Sequence, residues 1–277
     1  GAAPACDPSP AMTIELTDAQ LERYARHVIL DEVGEEGQAR LLAARVLVVG
    51  AGGLGAPVLL YLAAAGIGHL TIADADTVEV SNLQRQVIHS TETIGHPKAE
   101  SARRAIARLD PDLQVTALLE RVTVANAARL VGAHDVVVDG TDNFAARYLL
   151  NDACYFASVP LVSAALLRFE GQISTYKAHE PGENRPCYRC LFRSPPPPDL
   201  VPRCEQAGIF GAVAGVVGTM QATEVLKEIL GLGDSLAGTL LLYDALGATV
   251  RRLKARRDPD CPLCGTNPSI RDLSAHA

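Results

Sequence analysis

Apolar positions along this chain fall into short continuous runs separated by segments of helical spacing. Arg45-Val-Leu-Val-Val-Gly50 is such a run, as expected for a strand buried on both faces of a parallel sheet. Residues 69–74, 114–119, 135–139, 161–165 and 172–176 read as further strands. Between them, apolar residues recur every three to four positions, which predicts helices. These cover residues 16–30, with Thr17 placed to cap, and 56–65, with Pro57 in the first turn where its missing N–H does no harm. Lys98–Leu109 follows and stops at Asp110-Pro111, a short helix lies between residues 119 and 135, and another spans 144–156. Alternating strands and helices predict an α/β fold with a doubly wound, mostly parallel sheet.

After Tyr176 the pattern changes. Residues 179–202 are rich in proline, glycine and charge, and Pro195-Pro-Pro-Pro198 predicts an extended spacer. Residues 208–230 form a glycine-containing apolar segment passing into a helix. Thr239–Asp244 and Thr249–Lys254 predict a strand pair, an antiparallel C-terminal extension of the sheet. We expect residues 1–15 to be a disordered leader or cloning remnant. Residues 16–277 are expected to form one domain with a crossover loop at about 179–208.

Composition narrows the function. The chain has no Trp and few aromatics, so its core is expected to be aliphatic. A net charge of −7 argues against non-specific binding to nucleic acid or anionic membrane. No apolar run reaches 18 residues, and the opening ten residues lack the charged start and apolar stretch of a signal peptide, so we expect a cytoplasmic location. In a reducing compartment, seven cysteines point to metal binding or reactivity rather than disulfides.

Two motifs carry chemistry. Gly50-Ala-Gly-Gly-Leu-Gly55 follows a strand and opens a helix. Gly50, Gly52 and Gly55 match the Rossmann-like fingerprint and Gly53 adds to it, a turn whose backbone N–H groups can face phosphate. Asp74, at the end of the second strand, suits a ribose hydroxyl. Alone this would suggest a nicotinamide-dependent oxidoreductase. Asn82, Arg85 and Lys98 shift the reading toward a triphosphate, since their cationic and polar groups cluster where its charge needs neutralising. Asp142 follows a buried strand and suits either Mg²⁺ or the N-cap of the next helix, a role Asn143 can also fill.

The second motif is the pair Cys187-x-x-Cys190 and Cys261-x-x-Cys264. Four thiolates at this spacing, flanked by Pro186, Pro262 and Gly265, read as a closed tetrahedral zinc site of structural type. Cys154 sits in an apolar helix and Cys6 in the leader. Cys204, beside Arg203 near the polyproline spacer, reads equally as a nucleophile with lowered pKa or as an incidental loop cysteine.

From residue 16 to residue 265 the chain resembles the MoeB/ThiF family, prokaryotic relatives of ubiquitin-activating enzymes. The glycine motif and both cysteine pairs carry the resemblance, with Ser81-Asn-Leu-Gln-Arg-Gln86, Gly95-His-Pro-Lys98, Thr141-Asp-Asn143 and Glu170-Gly-Gln172. It implies ATP–Mg²⁺-dependent adenylation of the C-terminal glycine of a small ubiquitin-like sulfur carrier ending in Gly-Gly, in molybdopterin, thiamine or tRNA thiolation. By position, Gly53, Asp74, Ser81 and Asn143 belong to the nucleotide site. Asn82, Arg85 and Lys98 engage phosphates, Asp142 holds magnesium, and Arg26 reaches the site of a second copy, which implies a homodimer. Cys204 matches a crossover-loop cysteine that forms covalent intermediates in some relatives. Too few residues follow Cys264 for a fused rhodanese domain, so a separate sulfurtransferase is expected as donor. His27 departs from the family's usual Gln. A tRNA-modifying adenylating enzyme and an inactive zinc scaffold are the remaining alternatives; the acidic balance opposes the first, and the intact charged residues oppose the second.

Overall fold

Four consecutive aliphatic residues make the middle of the sheet. A computed structural model of the protein describes residues 15–195 and 208–276, and in it β1 (Arg45–Val49) runs parallel to strands on both sides. Successive side chains of a strand point to opposite faces, and β1 obeys this. Val46 and Val48 enter a cluster with α4 (Gly55–Ala64), α5 (Lys98–Leu109) and α9 (Gly211–Leu230). Leu47 and Val49 enter another with α6 (Val124–Val131) and α7 (Phe144–Ala157). Helices therefore cover both faces. Each fully buried Leu or Ile, such as Leu59, Leu62 or Ile72, contributes about 1.5–3 kcal/mol of burial energy.

The remaining strands are β2 (His69–Ala73), β3 (Gln114–Leu118), β4 (Val136–Asp139), β5 (Leu161–Leu167), β6 (Glu170–Tyr176), β7 (Thr239–Asp244) and β8 (Thr249–Lys254). The eight form one sheet in the order β3-β2-β1-β4-β5-β6-β7-β8. From β3 to β5 all pairings are parallel, and from β5 to β8 all are antiparallel. This is the expected doubly wound sheet with an antiparallel extension. Strand order reverses between β1 and β4, and the crevice outside their carboxyl ends is where such sheets bind ligands.

Two elements near the N-terminus differ from expectation. The predicted helix over 16–30 is broken into α1 (Asp18–Arg23) and α2 (Ala25–Val28). Tyr24 breaks it, adopting φ −100° and ψ 14°, because its ring is buried and its hydroxyl donates to Asp110 Oδ2 at 2.9 Å. Thr17 does cap, in a reciprocal box with Gln20. α3 (Gly34–Ala43) was not expected at all, since Gly34 and Gly37 weaken any helical signal. It forms because Leu41 joins the main core and Arg40 donates to the last carbonyls of α9. A one-turn helix, α8 (Tyr188–Leu191), is N-capped by Cys187 and carries Cys190.

Candidate active site

At the carboxyl ends of β1, β2 and β4 lies a cavity of about 740 Å³. Its floor is the glycine turn between β1 and α4. Gly50 has φ +93°, and a Cβ there would come within 2.8 Å of Gly140 O; a Cβ on Gly55 would overlap Gly50 O. Only glycine permits this crossing of two backbones, the physical content of the motif.

The turn is held from both sides. Asp74 accepts the Ala51 N–H and the Asp76 N–H, each at 2.8 Å, so its carboxylate is fixed at the cavity wall. The Ala51 carbonyl meets His89 Nε2 at 2.9 Å, and His89 Nδ1 meets Ser101 Oγ at 2.9 Å. Burial pushes the His89 pKa down. The neutral ring therefore donates from Nε2 to Ala51 O and accepts from the Ser101 hydroxyl. His89 thus joins the glycine turn to α5, the helix that begins with Lys98.

The cationic side is built by Arg85 and Lys98. Arg85 donates from Nη1 to Ser81 O at 3.1 Å, and its aliphatic stem lies beside Gly53. Lys98 is largely buried and reaches Asp76 Oδ2 at 3.5 Å, while Arg121 reaches Asp76 Oδ1 at 3.2 Å. Opposite, β4 ends in a braced turn. Buried Asp139 accepts Thr141 N–H at 2.9 Å, Thr141 Oγ1–H at 2.7 Å and Ser163 Oγ–H at 2.7 Å. Asn143 accepts the Ala146 N–H at 2.9 Å and caps α7. Asp142 is exposed at the cavity and its carboxylate has no hydrogen-bond or ion-pair partner among the described residues.

The cavity thus brings together Gly50, Gly52, Gly53, Asp74, Arg85, Lys98, Asp142 and Asn143. Ser81 and Asn82 do not line it. Ser81 Oγ donates to Glu79 Oε2 and Asn82 Oδ1 accepts the Glu79 N–H, so both shape the turn that delivers Arg85. Arg26 is exposed on α2, outside the cavity of its own chain. Cys204 and Cys6 lie outside the described residues, as does most of the polyproline spacer. Sequence reasoning missed Asp76, Gln86, Arg121, Arg147 and His276 in the cavity wall. Asp76, two residues beyond Asp74, and Gln86, beside Arg85, carried a local signal; the others did not.

A second constellation sits at the antiparallel end. Cys187, Cys190, Cys261 and Cys264 place their sulfurs within 4.8 Å of one another. Cys187 Sγ lies 3.9 Å from Cys190 Sγ and 3.5 Å from Cys261 Sγ, and Cys190 Sγ lies 3.3 Å from Cys264 Sγ. A tetrahedral ion with metal–sulfur bonds of about 2.3 Å needs sulfurs about 3.8 Å apart, so the four fit a single metal. The Asp258 N–H points at Cys190 Sγ from 3.4 Å, as it would to a thiolate. Cys154 is separate: burial pushes its thiol pKa well up, and it stays an inert core group. Among the described residues, no helix is long and apolar enough to cross a membrane.

Comparisons with known proteins agree with this architecture. A sulfur carrier protein adenylyltransferase of Thermus thermophilus is 51% identical over 260 residues, covering 93% of this chain and 95% of that protein. The SAMP-activating enzyme E1 of Haloferax volcanii is 50% identical over 264 residues, covering 95% and 96%. The adenylyltransferase and sulfurtransferase MOCS3 of Mus musculus is 49% identical over 267 residues, which span 96% of this chain and 57% of that protein. Among solved structures, Escherichia coli MccB with ATP superposes with a TM-score of 0.74 at 23% identity, over 87% of this chain and 74% of that one, a likeness of fold. The ThiF family model matches residues 24–263. On that span of sequence, and on the switch-point cavity it builds, the chain belongs to the ThiF family.

Proposed function

We propose that this chain is an adenylyltransferase that joins AMP to the C-terminal glycine carboxylate of a small ubiquitin-like sulfur carrier. The carrying observation is the cavity itself: a glycine turn, a fixed ribose-side carboxylate in Asp74, two cations in Arg85 and Lys98, and an unpartnered carboxylate in Asp142. Relatives at about half identity bear adenylyltransferase names. A nicotinamide enzyme would leave the Arg85–Lys98 group and the cysteine cluster unexplained, which favours the adenylyltransferase reading.

In this reading the carrier carboxylate attacks the α-phosphorus of ATP. An oxygen–phosphorus bond forms to the carrier, the α–β phosphoanhydride bond breaks, and pyrophosphate leaves with the bonding pair. The nucleophile is already ionised, so no general base is needed. The obstacle is bringing one anion to another. Arg85 and Lys98 lower that repulsion, and they do so at a wall where Lys98 is shielded from water. Asp76 holds both Lys98 and Arg121, so the cations are arranged before substrate arrives. Asp142 is the residue that would hold Mg²⁺, which would neutralise phosphate oxygens. Asn143, by supplying the helix cap, leaves Asp142 available for that role.

The cysteine cluster would hold Zn²⁺. Its four-sulfur donor set leaves no open coordination position, so it serves structure and takes no part in the transfer. Arg26 lies outside the cavity of its own chain; by the family resemblance it would serve the cavity of a second copy, in a homodimer. A separate sulfur donor would then act on the adenylated carrier, with Cys204 the chain's candidate for a covalent step. ATP–pyrophosphate exchange tests the reading: exchange is expected only with Mg²⁺ and a carrier ending in Gly-Gly, and is lost when the final glycine is removed. Exchange without any carrier, or none with any carrier despite ATP binding, contradicts it.

A further inference from the structure

One residue of the cavity wall comes from the other end of the chain. After the last cysteine the backbone returns to the parallel half of the sheet, where Leu273 packs into the core beside α6 and α7. Three residues on, His276 lines the nucleotide cavity. Its Nε2 lies 2.7 Å from Asp152 Oδ2, a fully buried carboxylate on α7. Asp152 is already clamped by Arg189, whose Nε reaches Oδ1 at 2.8 Å and whose Nη2 reaches Oδ2 at 2.8 Å. A fork-on-carboxylate pair of this kind fixes both position and charge. The imidazole is therefore mounted on a rigid, charge-balanced support.

The cavity has two chemically distinct sides. Arg85, Lys98 and the glycine turn supply one. Val122, Val124, Ala125 and Leu149 supply apolar area on the other, interleaved with Arg121, Thr123 and Arg147, and these lie on or beside the α6 and α7 elements that His276's segment packs against; the aliphatic part suits a flat base. In the neutral tautomer that gives Nε2–H to Asp152, His276 Nδ1 is an acceptor without a partner among the described residues. An acceptor in that place suits the 6-amino group of adenine and is unfavourable toward the 6-oxo group of guanine.

We propose that His276 is a base-recognition residue of the nucleotide site, positioned by Asp152, and that it selects adenine over guanine. The proposal rests on the nucleotide reading above. It assigns the last described turn of the chain to substrate specificity, a role its sequence gives no sign of.

The test is titration calorimetry of the full chain with Mg²⁺–ATP and with Mg²⁺–GTP, in the absence of carrier. The wild type is expected to bind ATP at least tenfold more tightly than GTP. His276→Ala is expected to weaken ATP about tenfold and to leave GTP nearly unchanged, collapsing the ratio. His276→Gln, which keeps a donor for Asp152 and an acceptor for the base, is expected to restore part of it. A general loss of fold would weaken both nucleotides together, so the ratio isolates recognition. If His276→Ala discriminates as the wild type does, the proposal is wrong while the adenylation reading stands. If the wild type binds neither nucleotide, the adenylation reading itself fails, and this proposal with it.

Discussion

The nucleotide cavity and the cysteine cluster use their polar atoms in opposite ways. In the cavity, Asp142 has no partner among the described residues and Lys98 and Arg121 share one carboxylate at more than 3 Å. In the cluster, four sulfurs converge and three of the four residues are buried. A site that turns over must keep bonding capacity for a ligand that arrives and leaves; a site that holds the fold closes its capacity within the chain. Asp74 and Asp139, both at strand ends, each use both oxygens to brace a turn; Asp74 holds the glycine turn and still lines the cavity, whereas Asp139 is buried behind the turn that carries Asp142.

The comparison breaks most sharply at Asp142. Asp142→Ala is expected to lower adenylation by roughly 10²–10³-fold, the size typical of losing a charge-stabilising group, with melting temperature and metal content unchanged. A matching fall in melting temperature would make Asp142 structural. Cys187→Ser should do the reverse: metal analysis is expected to show loss of the ion, and Tm to fall by roughly 10 °C, a few kcal/mol at about 2–4 °C each. Retained metal with unchanged Tm would contradict the closed-site reading.

Asn143→Ala sharpens the neighbouring roles. Losing a helix N-cap costs about 1 kcal/mol, so denaturant unfolding should register that loss. If Asn143→Ala costs nothing while Asp142→Ala destabilises, the two roles are exchanged.

The smallest effect concerns His89. Burial lowers its folded pKa from 6.5, so the unfolded chain takes the proton first as pH falls. Stability from this residue is present above about pH 6.5 and is lost as pH drops toward and below the folded value. His134 behaves likewise. His89→Gln is expected to flatten the stability-versus-pH slope below pH 7, measured by urea unfolding, without abolishing it.

Much of this was legible in the sequence, for physical reasons. β1 and β4 are short aliphatic runs because both faces are covered, and the strand pair expected at Thr239–Asp244 and Thr249–Lys254 forms with those bounds. The glycine turn and the cysteine pairs are local in sequence, so spacing alone exposes them. What was not legible arises from long-range contact. Tyr24 breaks a helix because Asp110, 86 positions away, receives its hydroxyl. Arg121, Arg147 and His276 reach the cavity as isolated polar residues with no periodicity to mark them. Asn82 neighbours Arg85 in the chain, but its amide oxygen accepts the Glu79 N–H and it shapes the turn without lining the cavity.

The central claim is that the open cavity transfers AMP to a carrier carboxylate. Intact-protein mass spectrometry of a Gly-Gly-ending carrier, incubated with this chain, ATP and Mg²⁺ and trapped in acid, addresses it directly. The account predicts a carrier species heavier by one AMP moiety, absent when ATP is omitted and absent with Asp142→Ala. A carrier of unchanged mass after ATP has been consumed to AMP and pyrophosphate would contradict it.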